Sequence, residues 1–293
     1  MKVALTGATG FIGSHVLTDL QKHGHEVTAL VRDDTRAETV AARGAKASVV
    51  DLYDRSAVAS LLRNSDGAIH TASPGDATTA DMDSAVADAV IEAFAGTGKP
   101  YIEISGMWVY GDNTAITEES AFHAPALVAW KEPIERRVLG ARGMRPVVIV
   151  SSTVYGDGGG AIPGALLGSP RDDAGNLIMI GTGQQHWSTV HVADLADFFR
   201  RVLEDDSARG RYVIGNGVNS TVAGLTEAAA VAAGAPGAVP GSGREARARL
   251  GDSFAEVLLL DQGTDAAKAR AELGWHPSHP SLVDEFRHGS YRK

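Results

Sequence analysis

Lys2-Val-Ala-Leu-Thr6-Gly7-Ala-Thr9-Gly10-Phe11-Ile12-Gly13 opens the chain, and a helix-like run from Ser14 to His23 follows it. The stretch begins as a short apolar strand and turns through glycines at positions 7, 10 and 13. Gly7 lets the chain leave the strand sharply. Gly10 clears room for a pyrophosphate to approach backbone N–H groups, and Gly13 lets the new helix pack on the sheet. The helix N-terminus then offers N–H donors and a positive dipole end to the phosphates. A glycine triplet means little alone. Here it follows a strand, precedes a helix and is answered by a second strand at Glu26–Val31, which is the context the mechanism requires. Thr9, Phe11 and Ile12 lie in the same turn and join Gly7, Gly10 and Gly13 as expected cofactor contacts.

Outward from this turn, strand and helix alternate over the first 150 residues. Thr35 to Arg43 reads as a helix, and Ala47 to Leu52 as a third strand ending in an acid. Asp51 and Leu52 are placed to border an adenine; Asp51 also suits the cap of a helix over Arg55–Arg63. Gly67 to Thr71 is a fourth strand. Thr71, Ala72 and Ser73 form a small-residue turn at its tip, across which a cofactor can lie. Met82 to Gly96 predicts a long helix and Pro100 to Ser105 a fifth strand. Pro125 to Leu139 predicts a helix carrying Lys131, kinked at Pro133, and Pro146 to Val150 a sixth strand. This rhythm predicts an α/β fold, a Rossmann-type doubly wound parallel sheet with a smaller C-terminal substrate lobe. The expected division is a dinucleotide-binding domain over residues 1–155, with 186–216 returning to the sheet, and a substrate lobe over 156–185 and 217–293. In the later part, Asp194–Glu204 reads as a helix, Arg211–Ile214 as a strand, and Thr221 as the cap of another helix.

The second strand decides the expected cofactor. Its last residue is Val31, and Arg32 follows where an NAD site would carry a carboxylate for the ribose hydroxyls. A guanidinium there pairs with a 2′-phosphate. NADP(H) is therefore favoured over NAD(H), with Arg32 as the main contact and Arg36 as a second. The competing reading is a solvated arginine beside Asp33 and Asp34.

Composition narrows the classes. The net charge of −9 argues against a nucleic-acid partner, and the absence of cysteine removes disulfides, thiolate metal sites and a Cys nucleophile. No apolar run approaches the ~20 residues that span a bilayer, and the N-terminus lacks a leader pattern. The expectation is a cytoplasmic enzyme with no membrane association, no metal and a small-molecule substrate.

Several ordered pieces resemble the short-chain dehydrogenase/reductase superfamily in its extended branch, the NAD(P)-dependent epimerase/dehydratase-like proteins. They are Thr6–Gly13, Ile69-His-Thr-Ala-Ser-Pro74, Val109-Tyr-Gly111, Val154-Tyr-Gly156, Thr189-Val-His-Val-Ala-Asp194 and Tyr212-Val-Ile-Gly-Asn216. The resemblance implies hydride transfer assisted by Asn, Ser, Tyr and Lys, with the tyrosine as acid/base and the lysine also holding the cofactor ribose. Carried over by position, Lys131 fills the lysine place. The tyrosine place, four residues earlier, is Leu127. The serine place is Gly106, with Ser105 adjacent, and the helix asparagine place is Asp83. Such a departure resembles the superfamily's atypical branch.

A leucine cannot donate a proton, so the candidates for that role are Tyr155, His123, His186 and His191. His186 stands where extended members carry a substrate-binding arginine. His191 reads more readily as an anchor for the strand leading to Asp194. Trp108 suits either a pocket wall or a core position. The expected catalytic group is Lys131, Tyr155, Ser105, Asp83 and His186, with Ser105 and Lys131 also touching the cofactor. The leading function is an NADP(H)-dependent oxidoreductase acting on a small carbonyl, alkene or imine. The alternatives are a non-catalytic NADP(H)-binding regulator and a nucleotide-sugar epimerase or dehydratase. The resemblance also implies a possible homodimer through the helices around Met82–Gly96 and Pro125–Leu139.

Overall fold

A computed structural model describes residues 1–292. Strands and helices alternate through β1 (Lys2–Thr6), α1 (Phe11–Lys22), β2 (Glu26–Val31), α2 (Asp34–Ala41), β3 (Lys46–Val49), α3 (Arg55–Leu62), β4 (Gly67–His70), α4 (Thr79–Phe94), β5 (Pro100–Gly106), α5 (Lys131–Leu139) and β6 (Arg145–Ser151). There follow β7 (Thr153–Tyr155), α6 (Ala161–Leu167), β8 (Leu177–Ile178), β9 (His186–His191), α7 (Val192–Glu204), β10 (Gly210–Ile214), β11 (Asn219–Thr221), α8 (Val222–Ala232) and β12 (Ala238–Val239). The chain closes with α9 (Gly243–Leu250), α10 (Asp252–Leu258), α11 (Ala267–Leu273) and α12 (Leu282–His288).

The central sheet has seven strands in the order β10-β6-β5-β4-β1-β2-β3. β1 pairs in parallel with β2 on one side and with β4 on the other, with Thr6 opposite Leu30 and His70 at its tip. The strand order therefore reverses at β1, and a crevice opens at the carboxyl ends of β1 and β4. The chain forms two compact units. Unit 1 comprises Met1–Ser105, Trp130–Ile149 and Leu195–Tyr212; unit 2 comprises Gly106–Ala129, Val150–Asp194 and the chain from Val213 onward.

In unit 1, β1 and β4 are apolar runs because helices cover both faces of a parallel sheet. α4 buries Met82, Val86, Val90 and Phe94 along one stripe. Val86, Val90 and Phe94 of that stripe join Val58 and Leu62 of α3, Ile134 and Val138 of α5, and Tyr101 in one core cluster. α5 begins at Lys131, so the helix expected over Pro125–Leu139 is shorter at its N-terminal end. Pro133 is its third residue, where no intrahelical N–H is needed, and it produces no mid-helix kink. β3 ends at Val49, before Asp51, and the cap of α3 is Asp54, whose side chain accepts from Ala57 N. Asp51 is not that cap; its carboxylate accepts from Tyr53 N at 3.0 Å.

Unit 2 carries a three-stranded sheet, β11-β9-β7, and a two-stranded one, β12-β8. Its core gathers Tyr155, Trp187, Leu225, Ala228, Ala229 and Phe286. Thr221 caps α8 as expected, accepting from Gly224 N at 3.1 Å. Asp194 pins the C-terminal segment: its carboxylate accepts from Ser278 N at 3.0 Å and pairs with His279 Nδ1 at 2.8 Å. Trp275, fully buried, donates its indole N–H to Asp194 O at 3.1 Å.

One buried cation in unit 1 was not marked in the sequence. Arg145, at the start of β6, donates to Val202 O at 2.9 Å, Leu203 O at 2.8 Å and Ala208 O at 3.3 Å. Two of these carbonyls belong to the last turn of α7, which has no intrahelical donors for them and whose negative dipole end favours a cation. Replacing Arg145 by Met leaves buried acceptors unpaired. Chemical denaturation of R145M is expected to give an unfolding free energy lower by about 3 kcal/mol. An unchanged midpoint would show that water satisfies these carbonyls equally well.

Candidate active site at the strand tips

The sequence-predicted cofactor residues of unit 1 all follow the carboxyl ends of β1 to β5 or lie on adjoining helices. Thr9 and Gly10 lie in the β1–α1 turn and Phe11, Ile12 and Gly13 in the first turn of α1; Thr71, Ala72 and Ser73 follow β4; Arg32 follows β2; Asp51 and Leu52 follow β3; Ser105 is buried near the end of β5. Two glycines are required by packing. Gly7 has φ +76°, and a Cβ there would lie 2.6 Å from Ala72 N. A Cβ on Gly13 would lie 2.1 Å from Gly7 O and 2.7 Å from Thr71 Oγ1. Gly10 differs. Its Cβ would meet only Gly7 O, at 3.3 Å. The protein leaves that side open, as close approach of a pyrophosphate to the backbone requires.

α1 has no side-chain cap and no acid in its first turn, so its first N–H donors and dipole end face outward uncompensated. The residues present therefore fit a dinucleotide: a glycine cradle, an uncapped helix N-terminus and a lysine nearby in the same unit. Arg32 keeps its side chain 67% exposed, 3.4 Å from Asp33. Arg36 is more committed. Its backbone N–H and its guanidinium both bond Asp33, at 2.9 and 2.6 Å.

Beneath the strand tips lies a chain of buried polar groups. Thr71 N and Ala72 N donate to Thr6 Oγ1 at 3.2 and 3.3 Å. Thr6 Oγ1 lies 2.6 Å from His70 Nδ1, and His70 Nε2 lies 3.2 Å from Asp83 Oδ1. Asp83 Oδ2 receives the Lys131 ammonium at 2.6 Å, and Lys131 Nζ also donates to Ile104 O at 3.2 Å. Lys131 further lies 4.8 Å from the centre of the Trp130 ring. Burial opposes ionisation of Asp83, but the hydrogen bond from His70, with the charge and hydrogen bond of Lys131, holds its carboxyl below the usual range. Close by, Tyr101 donates its phenol to Glu103 Oε2 at 3.2 Å. Both side chains are buried in the sheet.

Of the expected catalytic group, the structure joins Lys131 and Asp83 directly. Ser105 follows Ile104, whose carbonyl accepts from Lys131. Tyr155 and His186 lie in unit 2, and both are engaged there. Tyr155 is fully buried and donates to Pro280 O at 2.7 Å; burial holds its phenol well above the ordinary tyrosine range. His186 pairs through Nδ1 with Asp261 Oδ1 at 2.9 Å. His191 stacks on His279 with ring centres 4.2 Å apart, and burial, then the neighbouring His279, lowers its pKa. His123 N donates to Val109 O at 3.1 Å. Trp108 packs edge-on against Phe254 at 6.1 Å. Leu127 is 38% exposed in the turn before α5. His70 was absent from the expected site. It sits in an apolar strand, and its partner Asp83 is thirteen residues away on another element.

This sheet, its switch point and the glycine cradle define a dinucleotide-binding fold of the Rossmann type. The chain belongs to the NAD dependent epimerase/dehydratase family, whose model matches residues 3–215. The extended short-chain dehydrogenase/reductase resemblance therefore holds. The chain is 28% identical to uncharacterized protein C2A9.02 of Schizosaccharomyces pombe, over 99% of this chain and 100% of that protein. It is 26% identical to a 3-diazoavenalumate denitrifying reductase of Streptomyces sp, over 97% and 98% of the two chains. Among solved structures, human epimerase family protein SDR39U1 (isoform 2) with NADPH superposes with a TM-score of 0.75, at 21% identity over 99% of both chains. Thermus thermophilus UDP-glucose 4-epimerase with NAD gives 0.75 at 24% identity, over 98% of this chain and 99% of that one. No helix among the described residues is long and apolar enough to cross a membrane.

The buried cluster sets a pH dependence. Burial pushes the Glu103 carboxyl up to about 7; Lys131 draws it down, while Glu135 pushes it further up. The ordinary value is 4.5, so between 4.5 and about 7 the folded protein keeps a proton that the unfolded chain has released. Stability therefore falls as pH rises through that window and levels off above it. E103Q removes this penalty. It is expected to be more stable than the parent by on the order of 3 kcal/mol at pH 8, and to show no gain at pH 4. A gain of equal size at both pH values would contradict the assignment.

Proposed function

We propose that the protein is an NADP(H)-dependent oxidoreductase that reduces a small carbonyl, alkene or imine. The carrying observation is the pairing of an intact dinucleotide cradle with a lysine locked to a carboxylate, Lys131 on Asp83 at 2.6 Å, in a chain with leucine at the tyrosine place. Bound NADPH supplies hydride to an electrophilic carbon. The chain's own residues hold the dinucleotide: backbone N–H groups of the β1–α1 turn at the phosphates, Arg32 at the 2′-phosphate, and Lys131 at the ribose hydroxyls. Lys131 uses two of its N–H bonds on Asp83 and Ile104, so a third remains for a ligand. The proton comes from Lys131 or from water. Sugar-nucleotide epimerisation needs a base on a sugar hydroxyl. Leu127 supplies none, while Tyr155 is buried and bonded to Pro280. That weighs against the epimerase reading despite the family name. The reductase name of the Streptomyces relative and the NADPH in the SDR39U1 structure support the reductase reading. A cytoplasmic setting and a homodimer through α4 and α5 belong to the same proposal.

The test is steady-state NADPH oxidation against a panel of aldehydes, ketones, enones and imines, using NADPH deuterated at C4. Turnover with deuterium carried into the product is expected. Tight NADPH binding with no turnover on the whole panel would favour a non-catalytic regulator. Retained NAD⁺ in the purified protein, with interconversion of a nucleotide sugar, would restore the epimerase reading. R32E should lower kcat/KM for NADPH about tenfold or more while sparing NADH, because a charged hydrogen-bonding pair is removed. Equal loss with both cofactors would contradict the 2′-phosphate contact.

A further inference from the structure

The hydrogen bonds around Thr6 assign a tautomer to His70. Thr6 Oγ1 accepts from two backbone N–H groups, Thr71 and Ala72. Its lone pairs are then filled, and its own proton must point to the remaining neighbour, His70 Nδ1, at 2.6 Å. Nδ1 is therefore an acceptor, and the ring carries its proton on Nε2. Nε2–H in turn donates to Asp83 Oδ1 at 3.2 Å, which leaves Oδ2 to take the Lys131 ammonium at 2.6 Å. All donors point one way, from the turn after β4 through Thr6 and His70 to the carboxylate. Thr6, His70 and Asp83 are each at most 4% exposed, so no solvent competes for these bonds.

We propose that His70 is a positioning residue: it orients Asp83, and through it fixes Lys131, so that the glycine-rich loop and the lysine form one rigid cofactor-binding unit. The functional weight of this inference rests on the NADP(H) reading above. It also joins two of the three departures from the superfamily pattern, Leu127 and Asp83. A lysine beside a tyrosine tunes the phenol through its charge. With Leu127 there is no phenol to tune, and Asp83 in the asparagine place holds the ammonium as an ion pair. Lys131 then acts as a fixed donor. A ring that donates from Nε2 and accepts at Nδ1 holds the Asp83 carboxylate in a single rotamer, and a loop anchored to the same ring cannot shift independently of the lysine.

Three measurements on the full chain test this. First, ¹⁵N-histidine NMR of the ligand-free protein at pH 7.5 is expected to show His70 as the Nε2–H tautomer; an Nδ1–H tautomer or an imidazolium would overturn the chain. Second, the acylation rate of Lys131 by an N-hydroxysuccinimide ester, read by peptide mass spectrometry, is expected to rise about tenfold or more in H70L and in D83N. Third, H70Q is the rescue. The glutamine amide carries an acceptor and a donor spaced as the ring nitrogens are, so it should restore parental Lys131 protection, and in H70Q NADPH should bind within about threefold of the parent while H70L weakens it about tenfold or more. Equal Lys131 protection in parent, H70L and H70Q would overturn the proposal. If H70L does not fold, the tautomer and the D83N acylation rate still decide it. A parent that fails to bind NADPH while showing the expected tautomer and protection would sink the cofactor reading and leave the positioning chain standing.

Discussion

A threonine hydroxyl at the end of the first strand holds the switch point together. Thr6 receives the N–H groups of the turn after β4 and donates onward to His70, while its backbone carbonyl accepts from Thr71 Oγ1 at 2.8 Å. Two parallel strands, the glycine turn and the turn after β4 are thus tied at one buried atom. Buried polar groups persist only when satisfied, and here each member of the chain satisfies the next until the charge of Lys131 is met by Asp83. The close approach of Gly13 to Gly7 and Thr71 belongs to the same constraint, because any larger side chain would push the β4 turn away from Thr6.

The consequence for chemistry is a site built around its cofactor side. On the proposed reading, backbone N–H groups meet the phosphates and Lys131, held by Asp83, meets the ribose. Three candidates for the tyrosine's role, all in unit 2, are held in structural contacts: Tyr155 on Pro280, His186 on Asp261, and His191 stacked on His279. The lower part of the unit 1 cluster carries a cost. Glu103 is enclosed between the faces of a central strand, and its raised pKa records the unfavourable burial of a carboxylate near Asp83 and Glu135.

Much of this was legible in the sequence, and the parts that were not have definite causes. The glycine turn, the alternation of strand and helix, the return of the chain at β10 and the Thr221 cap each rest on local chemistry, and local chemistry is what a sequence displays. The start of α5 was misread because Pro133 fits either a mid-helix kink or a first turn, and only packing chooses between them. Asp51 and Asp54 are both plausible caps three residues apart; the strand end at Val49 decides for Asp54. Glu103, in Tyr101-Ile-Glu-Ile, looks like the solvent side of an alternating strand. In a parallel sheet covered on both faces that side is also interior. The role of His70 is not legible in the sequence, because its partners lie 64 and 13 positions away and no spacing rule links them.

The most direct test of the central claim is a titration of the purified protein with NADPH and NADH, followed by nicotinamide fluorescence. A cradle with an exposed guanidinium after β2 and a fixed lysine predicts saturable NADPH binding at least about tenfold tighter than that of NADH. Absence of binding by either nucleotide would mean that the strand-tip chain is structural only, and the account of the site would be wrong.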